Sequence, residues 1–295
     1  MTQFVQNVVD ALSVGSTYAL LALGMTLLFS VMGLINFAYG DLIVMCGYLL
    51  SVLQTQGVSF WYSIPLLLLF ATALSVAIWW AAFKPFRFAP PITLMLTSFG
   101  VSLVLESSAL LIFGPQPRTF SVPNSLGHVW HLGSVRLPLL EVATIAVGAL
   151  LILGLSLLLR RSNLGLELLA TAENRSVAEL MGVRANRVLV SAFALSGLIA
   201  GVVAVLELPR LGAVTYQSGL NPTIEAFVAI ILGGLGSIRG AVIGGLVLGA
   251  LETLFNSYLP SNWLSYQDAF VFLFVIVLVS IRPGGLAGKV QEATR

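Results

Sequence analysis

The sequence predicts an all-α polytopic membrane protein with eight to nine transmembrane helices, and three observations carry that prediction. Apolar residues make up 58% of the 295 residues and charged residues only 9%, with a mean hydropathy of +1.00. Ordinary soluble domains carry roughly 25% charge, so this chain could not cover a water-facing surface. Disorder is excluded as well, because it needs low hydrophobicity and high charge. The second observation is a series of nine apolar runs, each near the roughly 20 residues that a helix needs to span a bilayer. The third is that no ten-residue alternating pattern occurs. Barrel strands therefore have no source, and helices are what remains to satisfy the backbone in lipid.

Taken in order, the first run covers 9–31 and follows a stretch without Lys or Arg; the first basic residue is Lys84. A secretory signal needs a basic region before its apolar core, so this run reads as a retained span. The runs at 38–55, 61–83, 91–113, 137–159, 188–208, 240–259 and 268–281 read as further spans. The segment from Gly33 to Gly40 is expected to break the helix between the first two. The run at 223–238 is short and glycine-rich, so it reads either as a ninth span or as a re-entrant element. One transmembrane domain, 1–295, is expected, with loops at 114–136 and 160–187.

Basic residues set the expected orientation. Lys84, Arg87, Arg160, Arg161, Arg175, Arg184, Arg187, Arg239, Arg282, Lys289 and Arg295 fall on one side of this map. Arg118, Arg136 and Arg210 fall on the other. The positive-inside rule then places loop 160–187 and the C-terminus in the cytoplasm. The three outward arginines are expected to meet an acidic patch on an external partner.

Several function classes are excluded early. A net charge of +2 with no basic run longer than Arg160-Arg161 implies no nucleic-acid partner. Neither lysine, Lys84 or Lys289, lies in a phosphate-binding loop, so this chain does not bind ATP that way. There is no G-x-S-x-G elbow and no H-E-x-x-H zinc motif. His128-x-x-His131 supplies two ligands without a third, so no metal is expected. The lone Cys46 cannot form an internal disulfide and reads as a small core residue.

Loop 160–187 holds nearly a third of all the charge. Within it, Ser176-Val177-Ala178-Glu179 fits a capping box, and Gly182 sits where helices commonly end. Val177, Leu180 and Met181 lie at i, i+3 and i+4, on one face of a short helix. Leu168, Leu169 and Ala172 are expected to share a face of a preceding helix, 164–173. A helix this short is marginal alone, so its apolar face must pack on its own bundle or on another protein.

Within the spans, Gly197 and Gly201, and the series Gly236, Gly240, Gly244, Gly245 and Gly249, have the spacing that lets helices approach closely in lipid. Gly233, Gly234, Gly236 and Gly240 are dense enough to predict a helix break facing a cavity. Asp41, Glu141, Glu207 and Glu225 fall near predicted ends. Glu106 and Glu252 lie deeper, where a charge is costly and marks a polar helix contact or a solute path.

These residues carry a family resemblance. Ile35-Asn36-Phe37-Ala38-Tyr39-Gly40-Asp41 with Gly47-Tyr48 resembles the branched-chain amino acid permeases. So do Ala226-Phe227, the stretch from Leu232 to Gly245, and Arg282-Pro283-x-Gly285-Leu286. The stretch Ala172-Glu173, Ala178 to Val183, Arg187 and Phe193-Ala194 is similar to the coupling segment of ABC importer permeases. Tyr39 and Arg239 depart from the usual His and Pro.

The resemblance implies an ABC importer permease bundle in a bacterial cytoplasmic (inner) membrane, moving branched-chain amino acids. It is not itself an enzyme and carries no cofactor of its own. The implied partners are a second homologous permease, two ATP-binding subunits that hold ATP and Mg, an external solute-binding protein and the lipid bilayer. Glu173, Ser176, Glu179, Leu180, Met181 and Gly182 would meet the ATP-binding subunit. Asn36, Gly40, Asp41, Glu106, Gly233, Gly234, Gly236, Gly240 and Glu252 would lie on the solute path or gate. The alternative is an ion-coupled secondary transporter, with Glu106 or Glu252 as its ionisable group, or a passive channel.

Overall fold

A computed structural model describes residues 2–123, 126–132, 135–282 and 284–287. Lys289, Arg295 and Pro283, used above for orientation and for the terminal motif, lie outside the described residues, as does the His131 side chain.

Among the described residues, nine apolar helices match the nine runs. They are α1 (Thr2–Met32), α2 (Tyr39–Thr55), α3 (Phe60–Ile78), α4 (Pro91–Phe113), α5 (Leu139–Arg161), α8 (Ala185–Leu211), α9 (Leu220–Gly233), α10 (Ile238–Tyr258) and α11 (Gln267–Ile281). Two more, α6 (Asn163–Glu173) and α7 (Arg175–Leu180), fill the charged loop. Seven helices among the described residues are long and apolar enough to cross a membrane, with α3 counted through its π-helical extension Trp79–Phe83 and α11 from Ser261. α2 and α9 are shorter. The helix in the 223–238 run, read as a ninth span or a re-entrant element, ends at Gly233, because Gly234 and Gly236 both take positive φ, 106° and 79°. The expected break after the first span is also present: α1 stops at Met32 and Gly33 has φ 67°.

Among the described residues, strands occur only outside the long helices. β1 (Arg118–Thr119) pairs antiparallel with β4 (Ala213–Val214), and β2 (Val129–Leu132) forms a hairpin with β3 (Val135–Pro138). The 114–136 loop is thus partly strand.

The chain divides into two compact units. The first comprises 1–26, 124–152 and 225–295; the second comprises 27–123 and 153–224. In the first, α1 and α10 cross at near backbone contact. A Cβ on Gly245 would fall 2.3 Å from the Ala19 nitrogen, and one on Gly249 2.3 Å from the Gly15 nitrogen. Small residues allow this approach, which in lipid replaces the hydrophobic drive available in water. Glu252 accepts a hydrogen bond from the Tyr18 hydroxyl across the same crossing.

In the second unit, α3 and α8 pack by the same device. A Cβ on Gly197 would fall 2.5 Å from Ser75 Cβ, and the Ser75 hydroxyl donates to the Phe193 carbonyl at 2.7 Å. Trp79 and Phe83 stack obliquely on Phe193, at 5.3 and 5.2 Å. Trp79 and Phe83 fall in the π-helical turn that extends α3. The extra residue of a π-turn shifts the face that follows. At its end Lys84 lays its Nζ 3.5 Å from the exposed Trp80 ring.

Candidate functional site

The second unit assembles two polar sites. The first is the charged loop, which folds back along the end of α5. The Ser162 hydroxyl accepts from Gly165 N at 2.9 Å and caps α6. A Cβ on Gly165 would meet the Leu158 carbonyl at 2.4 Å, so α6 lies directly on the α5 backbone. Its inner face is Gly165, Leu168 and Thr171, all buried, while Leu169 is exposed. The face expected from Leu168, Leu169 and Ala172 is therefore rotated, because the glycine permits the closest contact.

α7 begins differently from the expected capping box. Asn174 is its N-cap and accepts from Val177 N at 3.1 Å. Ser176 lies within the first turn and is exposed. Asn competes equally with Ser for this position, and the chain enters the helix two residues earlier than the S-x-x-E spacing implies. Glu179 instead pairs with Arg175, at 3.2 Å. Gly182 does end the segment, with φ 90°, and Gly182 and Val183 donate back to the carbonyls of Glu179 and Ala178. Only Ala178 of α7 is buried. Leu180 and Met181 are 87% and 81% exposed, Val177 is exposed too, and Glu173 also faces outward.

Arg175 ties this short helix to the turn before α4. Its Nη1 donates to the Arg87 carbonyl at 3.0 Å, and its guanidinium lies 5.0 Å from the Phe88 ring. An exposed i,i+4 ion pair alone contributes only about 0.3–0.5 kcal/mol. Three simultaneous contacts on one planar group orient α7 more firmly than any one of them. Beside them lies a cavity of about 310 Å³, lined in part by Met32, Leu94, Arg87, Ser176 and Glu179.

The second site surrounds the start of α2. The Gly40 N–H donates to the Thr223 hydroxyl at 3.0 Å. A Cβ on Gly40 would overlap the Gly219 carbonyl at 1.9 Å, so α2 touches the chain entering α9 backbone to backbone. Asn36 is 2% exposed and its Oδ1 accepts from Ala38 N at 3.2 Å. Asp41, in the first turn of α2, is 3% exposed, and its Oδ2 has no hydrogen-bond partner. The α4 residues Ser98, Ser102 and Glu106, spaced by four, line one helical stripe. Ser98 Oγ donates to the Ile35 carbonyl at 3.2 Å and accepts from Phe37 N at 3.1 Å. Ser102 reaches the Asp41 carboxylate, and Glu106 is close enough to act on it electrostatically.

Asn36, Gly40, Asp41 and Glu106 are thus brought together. Gly233, Gly234, Gly236, Gly240 and Glu252 belong to the first unit. There the α9–α10 turn is a mutual glycine contact: a Cβ on Gly233 would fall 1.9 Å from the Gly240 carbonyl, and one on Gly240 2.3 Å from that of Gly233. Ser237 caps α10 by accepting from Gly240 N at 3.0 Å. The Leu286 and Ala287 amides then donate to the Leu232 and Gly233 carbonyls at the end of α9. The glycine break is a packed hairpin. Glu252, one of the two groups an ion-coupled mechanism would use, is hydrogen-bonded to Tyr18.

Of the three arginines expected to face outward, Arg210 pairs with Glu207 at 3.2 Å, which offsets its charge. Arg118 donates to the Phe113 carbonyl and lies over that ring. Sequence reasoning missed Arg175, Ser102, Thr223 and Gly219 as site residues. Only the four-residue spacing of Ser98, Ser102 and Glu106 on α4 could have drawn attention to that stripe.

The family model described as branched-chain amino acid transport system / permease component matches residues 7–280. The chain is 30% identical to the high-affinity branched-chain amino acid transport system permease protein BraD of Pseudomonas aeruginosa, covering 97% of this chain and 96% of that protein. It is 29% identical to LivH of Escherichia coli K12 over the same shares, 97% and 96%. It is 32% identical to the probable branched-chain amino acid transport permease protein LivH of Methanocaldococcus jannaschii, over 91% and 88%. No solved structure matches the chain.

Proposed function

The chain belongs to the branched-chain amino acid transport permease family, and from that membership we propose how it works. It is the membrane-spanning subunit of an importer that carries branched-chain amino acids, powered by ATP hydrolysed in partner subunits. It pairs with a second homologous permease, and an external binding protein delivers the solute. The membrane is the bacterial inner membrane, with the 160–187 loop and the C-terminus in the cytoplasm. ATP and Mg stay with the partners.

The observation that carries this reading is α7 with its unpartnered apolar face. Val177, Leu180 and Met181 project from a six-residue helix that buries only Ala178. A helix so short needs an external partner to hold its shape under load. An apolar centre ringed by Glu173, Ser176 and Glu179 has the make-up of a protein contact with a polar rim. Docking there moves α7, and Arg175 passes the displacement to the Arg87–Phe88 turn and so to α4. α4 carries Ser98, Ser102 and Glu106, so the solute path opens and closes as α4 shifts.

Reconstitution tests this directly. Proteoliposomes holding this chain, its paired permease and the ATP-binding subunits should accumulate leucine only with ATP inside and the binding protein outside. Uptake by this chain alone would overturn the reading.

Arg175→Ala is expected to lower leucine uptake about three- to tenfold, as loss of one charge-assisted contact and one cation–π contact implies. The ATP-binding subunits should still co-purify, because the docking face is untouched. Uptake per ATP hydrolysed is the measurement, and an unchanged ratio would remove Arg175 from the coupling route.

A further inference from the structure

We propose that Asp41 is the subsite that receives the ammonium group of the transported amino acid, with Glu106 as the second carboxylate it meets. This rests on the importer reading above.

Asp41 is 3% exposed, forms no ion pair among the described residues, and leaves Oδ2 without a hydrogen-bond partner. A buried carboxylate without a cation is destabilising, and a second carboxylate nearby adds to the cost. Glu106 is that second group. An asparagine would fill the same volume without the charge, so the acid worsens the folded state of the isolated chain. With the Ser102 hydroxyl against it but no cation, such a carboxylate belongs to a site completed by something that arrives.

The arriving group must be a compact cation with several donors, because Oδ2 is buried and has no partner. On the α9 side the carboxylate is sealed, since a Cβ on Gly219 would fall 2.2 Å from Asp41 Oδ1. Access is therefore from α4, where Ser102 and Glu106 are only half-buried. An ammonium has three donors. Asp41 Oδ2, the Ser102 hydroxyl and the Glu106 carboxylate are three acceptors of one stripe and the helix facing it. A branched aliphatic side chain would then lie against the apolar remainder of the helices. The site recognises the charged end common to all amino acids, so it selects for amino acids over neutral solutes without choosing among them.

The test uses the complete complex in proteoliposomes with binding protein and ATP. Asp41→Asn is expected to cut leucine uptake per ATP hydrolysed by about tenfold or more, as loss of a transition-specific interaction would. Binding-protein-stimulated ATP hydrolysis should stay within about twofold, and the unfolding midpoint of the detergent-solubilised variant should not fall. Glu106→Gln, in a looser setting, should give a smaller loss of about threefold. Dissipating proton and sodium gradients should leave wild-type uptake unchanged.

Normal uptake by Asp41→Asn would overturn the proposal. So would a lowered unfolding midpoint with hydrolysis and uptake lost together, which would make Asp41 structural. Wild-type uptake that collapses with either gradient would make it a proton or sodium site instead. A wild-type complex that moves no leucine with ATP and binding protein would fail the importer reading itself, whatever the variants do.

Discussion

Replacing Leu180 and Met181 together with Glu is expected to abolish ATP-driven uptake and to release the ATP-binding subunits on purification. Both side chains are more than 80% exposed and touch nothing that holds this chain together. Burying each in a partner's groove is worth about 1.5–3 kcal/mol. Losing both, at about 1.4 kcal/mol per tenfold, weakens docking by some two to four orders of magnitude. Two carboxylates in the groove add an unpaired-charge penalty. Because neither residue supports the fold, the variant should insert and unfold as the wild type does. Co-purification and uptake measured on the same preparation make the check. Normal uptake with bound ATP-binding subunits would show that the α7 face is not the contact.

Gly233→Val is expected to be the most damaging single change to the fold. A Cβ there would lie 1.9 Å from the Gly240 carbonyl and 2.2 Å from its carbon, and both neighbours are backbone. Overpacking against side chains costs about 1–3 kcal/mol because side chains can move. Here α9 and α10 would have to separate, which breaks the Ser237 cap and frees the amides of Leu286 and Ala287. The loss should exceed that range. Gly240→Val should behave alike, since its Cβ meets the Gly233 carbonyl at 2.3 Å. Gly100→Val, where no atom lies within 4 Å of a Cβ, is the control. Folded yield by size-exclusion chromatography distinguishes them. Equal yields for all three would mean that the α9–α10 turn is not tightly packed.

The helices were legible in the sequence because lipid leaves the backbone a single solution. All nine runs became helices, and 91–113 matched α4 residue for residue. The glycine break was legible too, since Gly233, Gly234 and Gly236 cannot sustain a helix together. The cap of α7 was not. Asn174 and Ser176 are equivalent as isolated letters, and the direction of the incoming chain selected Asn174. Nor was the rotation of α6, which follows from how closely Gly165 approaches the end of α5.

The site divides along the same line. Composition, periodicity and the Asn36-to-Asp41 motif determine a membrane permease with a polar element at the start of its second helix. They do so because hydrophobic length and local chain stiffness are properties of neighbouring residues. Which distant residues meet Asp41 was decided by the tertiary structure alone. Ser102, Glu106 and Gly219 lie 61, 65 and 178 positions away, and only the backbone contact of Gly40 with Gly219 and the rotation of α4 bring them there. A one-dimensional pattern records which face of a helix is polar but not which helix that face will meet.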